Sequence, residues 1–152
     1  MDALRPDRMA AVRADQVNMS SSARNRVRRV AAAELAAEIR RTGEHCLTYL
    51  LNGKGVVTAA QFFNAVKAVF PLDPPLGDGS VWDALVDSMF GGLVDCPAGC
   101  IDIVWEHWTQ MAREAPQDFE IAVGCLAQVA NQLSNETVTG GKSFDVHVYI
   151  VG

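Results

Sequence analysis

Asp83 and Asp87 stand one helical turn apart in the run Gly79-Ser80-Val81-Trp82-Asp83-Ala84-Leu85-Val86-Asp87. The chain around them sharpens their charge. Between Lys67 and Arg113 there is no lysine or arginine, but there are seven acids: Asp73, Asp78, Asp83, Asp87, Asp95, Asp102 and Glu106. Like charges at i and i+4 of a helix cost about 0.2–0.5 kcal/mol, and no basic residue nearby in sequence offsets that cost. Carboxylates held in this way accept charge-assisted hydrogen bonds from an arginine or lysine of another molecule. The chemistry implied is recognition of a cationic partner.

Other constellations could do bond-making chemistry, and they are less complete. Asp145 and His147 share one face of a strand by the period of two, and Asp102, Glu106 and His107 cluster further back. Neither group comes with a nucleophile elbow, a phosphate-cradling glycine loop or a metal motif. No catalytic residue and no cofactor is assigned, and the protein is not expected to be an enzyme. Cys96 and Cys100 are close enough to raise a zinc question. Zinc would need two more ligands at motif spacing, whereas His45, His107 and His147 are scattered, so no metal site is expected. Cys46, Cys96, Cys100 and Cys125 read as reduced, mostly buried thiols.

Charge is divided unevenly along the 152 residues. Residues 1–44 carry nine arginines against six acids, and residues 45–152 carry four basic residues against twelve acids. The acidic part argues against a nucleic-acid surface and for electrostatic steering toward a basic protein. With 49% hydrophobic residues the chain can bury a core. Its N-terminus lacks the apolar segment of a secretory signal, and no apolar run is long enough to span a bilayer. No membrane contact and a cytoplasmic location are expected.

These residues must be positioned by a small set of elements. Residues 1–22 read as a disordered arm. From Ser22 to Thr42, Val27, Val30, Ala31, Leu35 and Ile39 recur at helical spacing among Arg26, Arg28, Arg29, Arg40 and Arg41, predicting a basic amphipathic helix that Gly43 stops. Such a helix can pack on the domain or contact a partner. Cys46–Leu51 predicts a strand ending at the Asn52-Gly53-Lys54-Gly55 turn. Thr58-Ala59-Ala60-Gln61 is a capping box for a helix with the stripe Phe62, Phe63, Val66, Val69 and Phe70, closed by Pro71. A loop over 72–79 leads to the short acidic helix, which Gly91-Gly92 is expected to stop. Cys100–Trp105 predicts a second strand. Helical pattern runs from Thr109 to Ser134 with a break at Pro116, and Phe144–Val151 predicts a third strand. Strands joined by helical crossovers imply a parallel sheet. The fold class is therefore α/β: a small three-stranded parallel sheet packed with helices, with residues 1–44 as an arm and basic helical extension and residues 45–152 as the domain.

On a helical wheel Trp82, Leu85, Val86 and Met89 share the core-facing stripe, while Asp83 and Asp87 fall together on a side face. Ser80-x-x-Asp83 has the form of a capping box, which would give Asp83 a local role at the helix start.

The string Trp82-Asp83-Ala84-Leu85-Val86-Asp87 resembles the inhibitory helix of the barstar family, intracellular inhibitors of a secreted bacterial ribonuclease. The resemblance extends over roughly residues 45–151. Leu50-Leu51-Asn52-Gly53 is similar to the family's first strand and turn, Thr58–Phe70 to its first helix, Ile101–Trp105 to its second strand and Val146–Ile150 to its last. It implies that the helix and its preceding loop plug the basic cleft of a barnase-type ribonuclease or related toxin, in an antitoxin or immunity role. Asp87 would match the family's most important acid and Asp83 the acid one turn before it. Trp82, Asp78, Gly79, Val86, Gly91 and Asn131 would complete the partner-binding surface. The chain departs from the family pattern at Leu76-Gly77-Asp78, where an aromatic residue often precedes the loop glycine, and at Asn131, near where the family has an acid. The second reading is a non-inhibitory interaction module on the same fold, binding through the N-terminal basic helix.

Overall fold

The computed structural model describes residues 27–42 and 46–152. The expected arm over 1–22, the start of the expected basic helix and its stop at Gly43 lie outside the described residues. Strands β1 (Val27–Val30), β2 (Leu47–Asn52), β3 (Cys100–Glu106) and β4 (Asp145–Val151) form one sheet in the order β1-β4-β3-β2, and every neighbouring pair is parallel. The helices are α1 (Ala32–Thr42), α2 (Ala59–Val69), α3 (Trp82–Leu93), α4 (Thr109–Glu114), α5 (Pro116–Leu133) and the short α6 (Glu136–Thr139).

The parallel α/β class is as expected, but the sheet has four strands, not three. The added strand, Val27–Val30, falls where the valine spacing predicted helix. In a helix Val27 and Val30 would share a face. In a strand they point to opposite faces, and here both faces are covered. Val27 packs against the main core, and Val30 joins a second cluster with Val104, Tyr149 and Val151. The strand pairs in register with β4, from Val27 opposite Val148 to Val30 opposite Val151. That pairing uses an edge of β4 that would otherwise carry unpaired N–H and C=O groups.

The central strands are apolar on both faces, as parallel strands under two covers must be. Ile101, Ile103 and Trp105 of β3, with Val146, Val148 and Ile150 of β4, face a core completed by α2, α3 and α5. Val104, Tyr149 and Val151 face the other way, under Leu35 and Ile39 of α1. Two exposed arginines of β1 have partners within the fold. Arg28 pairs with Glu38 at 2.5 Å, and the Arg29 guanidinium lies 4.9 Å from the centroid of the Trp108 ring.

The capping box at Thr58 forms, with the Gln61 N–H donating to Thr58 Oγ1. Gln61 Oε1 in turn accepts from the Val57 N–H, one residue before the cap. Pro116 opens α5 at its first turn, where its missing N–H costs nothing. Helix α6, with Asn135 as N-cap, had no sequence expectation. The expectation of four reduced thiols is corrected: Cys46, just before β2, and Cys100, the first residue of β3, form a disulfide, leaving Cys96 and Cys125 free.

Candidate functional site

Helix α3 is amphipathic in the way its sequence requires. Leu85, Val86, Met89 and Leu93 are buried, while Asp83 and Asp87 are exposed on its free side. Trp82, half-buried, anchors the first turn against α2, edge-on to Phe63 at 4.9 Å between centroids and tilted on Phe62 at 5.8 Å. Val86 takes the core position that the wheel assigned, only 3% exposed. Its side chain packs inward with Leu85 and Met89.

Two features at the ends of α3 differ from expectation. Ser80 does not cap the helix. The N-cap is Val81, without a side-chain hydrogen bond, and Ser80 Oγ donates instead to the Gly77 carbonyl at 2.6 Å. Asp83 is then an acid in the first turn, placed to gain from the helix dipole. At the other end, Gly91 and Gly92 do not stop the helix, which continues through Leu93. A Cβ at Gly91 would overlap the Asp73 carbonyl oxygen, and one at Gly92 the Pro71 carbonyl oxygen. Both glycines let the loop between α2 and α3 lie directly on the helix. Asp73 N–H donates to the Ser88 carbonyl at 3.0 Å, and Leu76 is buried beneath the loop.

The loop's far end, Gly77–Val81, curves over α2. Gly79 turns with φ of 73°, and Asp78 projects fully into solvent with its carboxylate 4.0 Å from Lys67 Nζ. A cleft of about 480 Å³ opens between α2 and this loop, lined among others by Phe63, Asn64, Lys67, Asp78, Ser80 and Trp82. Val81, 64% exposed, sets an apolar side chain beside the acids. Sequence reasoning did not single it out, and its place as N-cap, outside the helical wheel, is why.

Among the described residues no arginine, lysine or histidine forms an ion pair with Asp83 or Asp87. The field of Asp83 is felt inside the protein, however. Burial first, and the Asp83 carboxylate second, push the Cys125 thiol of α5 up to about 11. Helix α5 is the close neighbour of α3, and Asn131 is exposed on it. The structure thus gathers Trp82, Asp83, Asp87, Asp78 and Gly79 on one helix and the loop that enters it. Gly91 serves the packing of that loop.

The family model described as Barstar (barnase inhibitor) matches residues 46–148. The chain belongs to the barstar family. No curated protein and no solved structure matches it. No helix among the described residues is long and apolar enough to cross a membrane.

Proposed function

We propose that the protein inhibits a barnase-type ribonuclease by inserting α3 and the 77–81 loop into the enzyme's basic cleft. The observation that carries this reading is the pair of exposed, unneutralised carboxylates, Asp83 and Asp87, on a helix whose other side is locked into the core. A ribonuclease cleft holds phosphate with cationic groups and stabilises the charge of the transition state. Asp87 on a rigid helix takes the place of that phosphate through charge-assisted bonds, and Asp83 adds a second acceptor one turn earlier. Asp78 and Gly79 form the loop edge, and Val81 excludes water beside the acids. Asn131 lies on the neighbouring helix as a rim contact. Opposite fields on the two proteins accelerate their encounter.

The role is that of an antitoxin or immunity protein acting in the cytoplasm of a bacterium, with no chemistry of its own. The alternative is a non-inhibitory module that binds through its N-terminal basic segment, where Arg28 pairs with Glu38 and Arg29 lies over the Trp108 ring. The test is titration of the purified protein into an activity assay of a guanyl-preferring, barnase-type ribonuclease. Stoichiometric loss of activity, weakening as salt is raised, is expected. Undiminished activity at excess inhibitor would contradict the reading.

A further inference from the structure

The face of the sheet opposite α3 carries a polar cluster that inhibition does not use. Register places Cys100 opposite Asp145 and Asp102 opposite His147 on the neighbouring strands β3 and β4. Cys46 lies just before β2 and is bonded to Cys100. Asp102 is fully buried, an unusual place for a carboxylate. Ligand atoms of Cys46, Cys100 and Asp102 lie within 4.8 Å of one another, and so do those of Cys100, Asp145 and His147. The two trios share Cys100.

We propose that, once the Cys46–Cys100 disulfide is reduced, Cys46, Cys100, Asp102 and His147 bind a zinc ion. Two thiolates, an imidazole and a carboxylate are the donors zinc prefers, at bonds of about 2.0–2.3 Å; Cys46, Cys100 and Asp102 share one cluster of ligand atoms, and Cys100 shares the other with His147. Zinc-bound histidines hand their other ring nitrogen to a carboxylate. Asp145, with Oδ1 3.2 Å from His147 Nε2, supplies that acid. Scattered in sequence, the ligands are assembled by strand register alone, which is why no motif spacing announces them. The disulfide ties β2 to β3, whereas the metal would tie β2, β3 and β4.

The redox step balances with a phosphine reductant and water. The phosphine takes the oxygen of water and becomes its oxide, the Sγ–Sγ bond breaks, and the two hydrogens of water end on the two sulfurs. Metal binding then releases both thiol protons to solvent.

The test uses the full chain under anaerobic conditions, oxidised or reduced by a phosphine, titrated with cobalt(II) as the probe and then with zinc. The reduced chain is expected to take up one cobalt with a thiolate-to-metal charge-transfer band, which zinc abolishes, and the oxidised chain is expected to show no band. The band should persist in Cys96→Ser and Cys125→Ser and disappear in Cys100→Ser. His147→Asn, which keeps both thiols, should weaken binding at least about tenfold. Because the oxidised and reduced wild-type chains are compared directly, a poorly folding variant does not decide the matter. Absence of the band in the reduced wild-type chain, its survival in Cys100→Ser, or its loss in Cys96→Ser would overturn the proposal.

Discussion

Gly91 of α3 lies so close to the backbone of Asp73 that a Cβ at residue 91 would overlap the Asp73 carbonyl oxygen. With Gly92 against Pro71 and the Asp73 N–H bonded to Ser88 O, this contact fixes the loop that leads into the acidic helix. The glycines read in sequence as a helix stop are instead the seat of the loop. Under the proposed inhibition, such rigidity raises affinity, because less freedom is lost on binding.

Gly91→Ala is therefore expected to destabilise the protein. Alanine favours a helix over glycine by about 1 kcal/mol, but overpacking against an immobile backbone costs about 1–3 kcal/mol. Urea unfolding should show a lower midpoint with an unchanged slope. A variant as stable as wild type would show that the loop can move aside at little cost.

Cys125 supplies a pH dependence. Its thiol ordinarily titrates near 9.0 and is raised to about 11 in the fold, by burial and then by Asp83. A raised value means that the folded state holds the proton more tightly. The stabilisation is thus full below pH 9 and is lost as pH rises through 11. Other groups titrate in that range, so the measurement is the difference in urea stability between wild type and Cys125→Ala. Wild type should lose more stability than the variant between pH 8.5 and about 11. Parallel pH profiles would contradict the assignment.

Helix α1 covers the second face of the sheet through Leu35 and Ile39. Both are half-buried, so the double variant Leu35→Ala, Ile39→Ala should lose roughly 2–3 kcal/mol, below the full cost of two buried aliphatic side chains. Binding of a ribonuclease by the folded variant should stay at the wild-type level, because α1 packs on the opposite face from α3. Loss of binding without loss of folding would instead favour a partner seated on the N-terminal segment.

Much of this architecture was legible in the residues. β2, β3 and β4 announce themselves by strand-forming runs, Thr58 and Pro116 by cap and break chemistry, and the exposure of Asp83 and Asp87 by the helical wheel. What escaped depends on partners distant in the chain. Val27 and Val30 fit a helix by spacing, and only the vacant edge of β4, more than a hundred residues later, makes them a strand. Cys46 and Cys100 are 54 residues apart and meet only through the pairing of β2 with β3. Gly91 and Gly92 carry the ordinary signature of a helix end, and nothing local reveals the backbone that lies upon them. At the site itself, the wheel places Val86 on the core-facing stripe, and Val86 is buried there.

The central claim is that Asp87 binds a cation of the target enzyme. Its most direct test is the affinity of Asp87→Ala for a barnase-type ribonuclease, measured beside wild type with unfolding curves for both. A loss of about 2 kcal/mol or more is expected, the scale of interface hot spots, of which the barstar family's own inhibitor–ribonuclease pair is an instance. Stability should change by less than about 0.5 kcal/mol, as for an exposed side chain. Wild-type affinity in the variant, or a variant that fails to fold, would contradict the account.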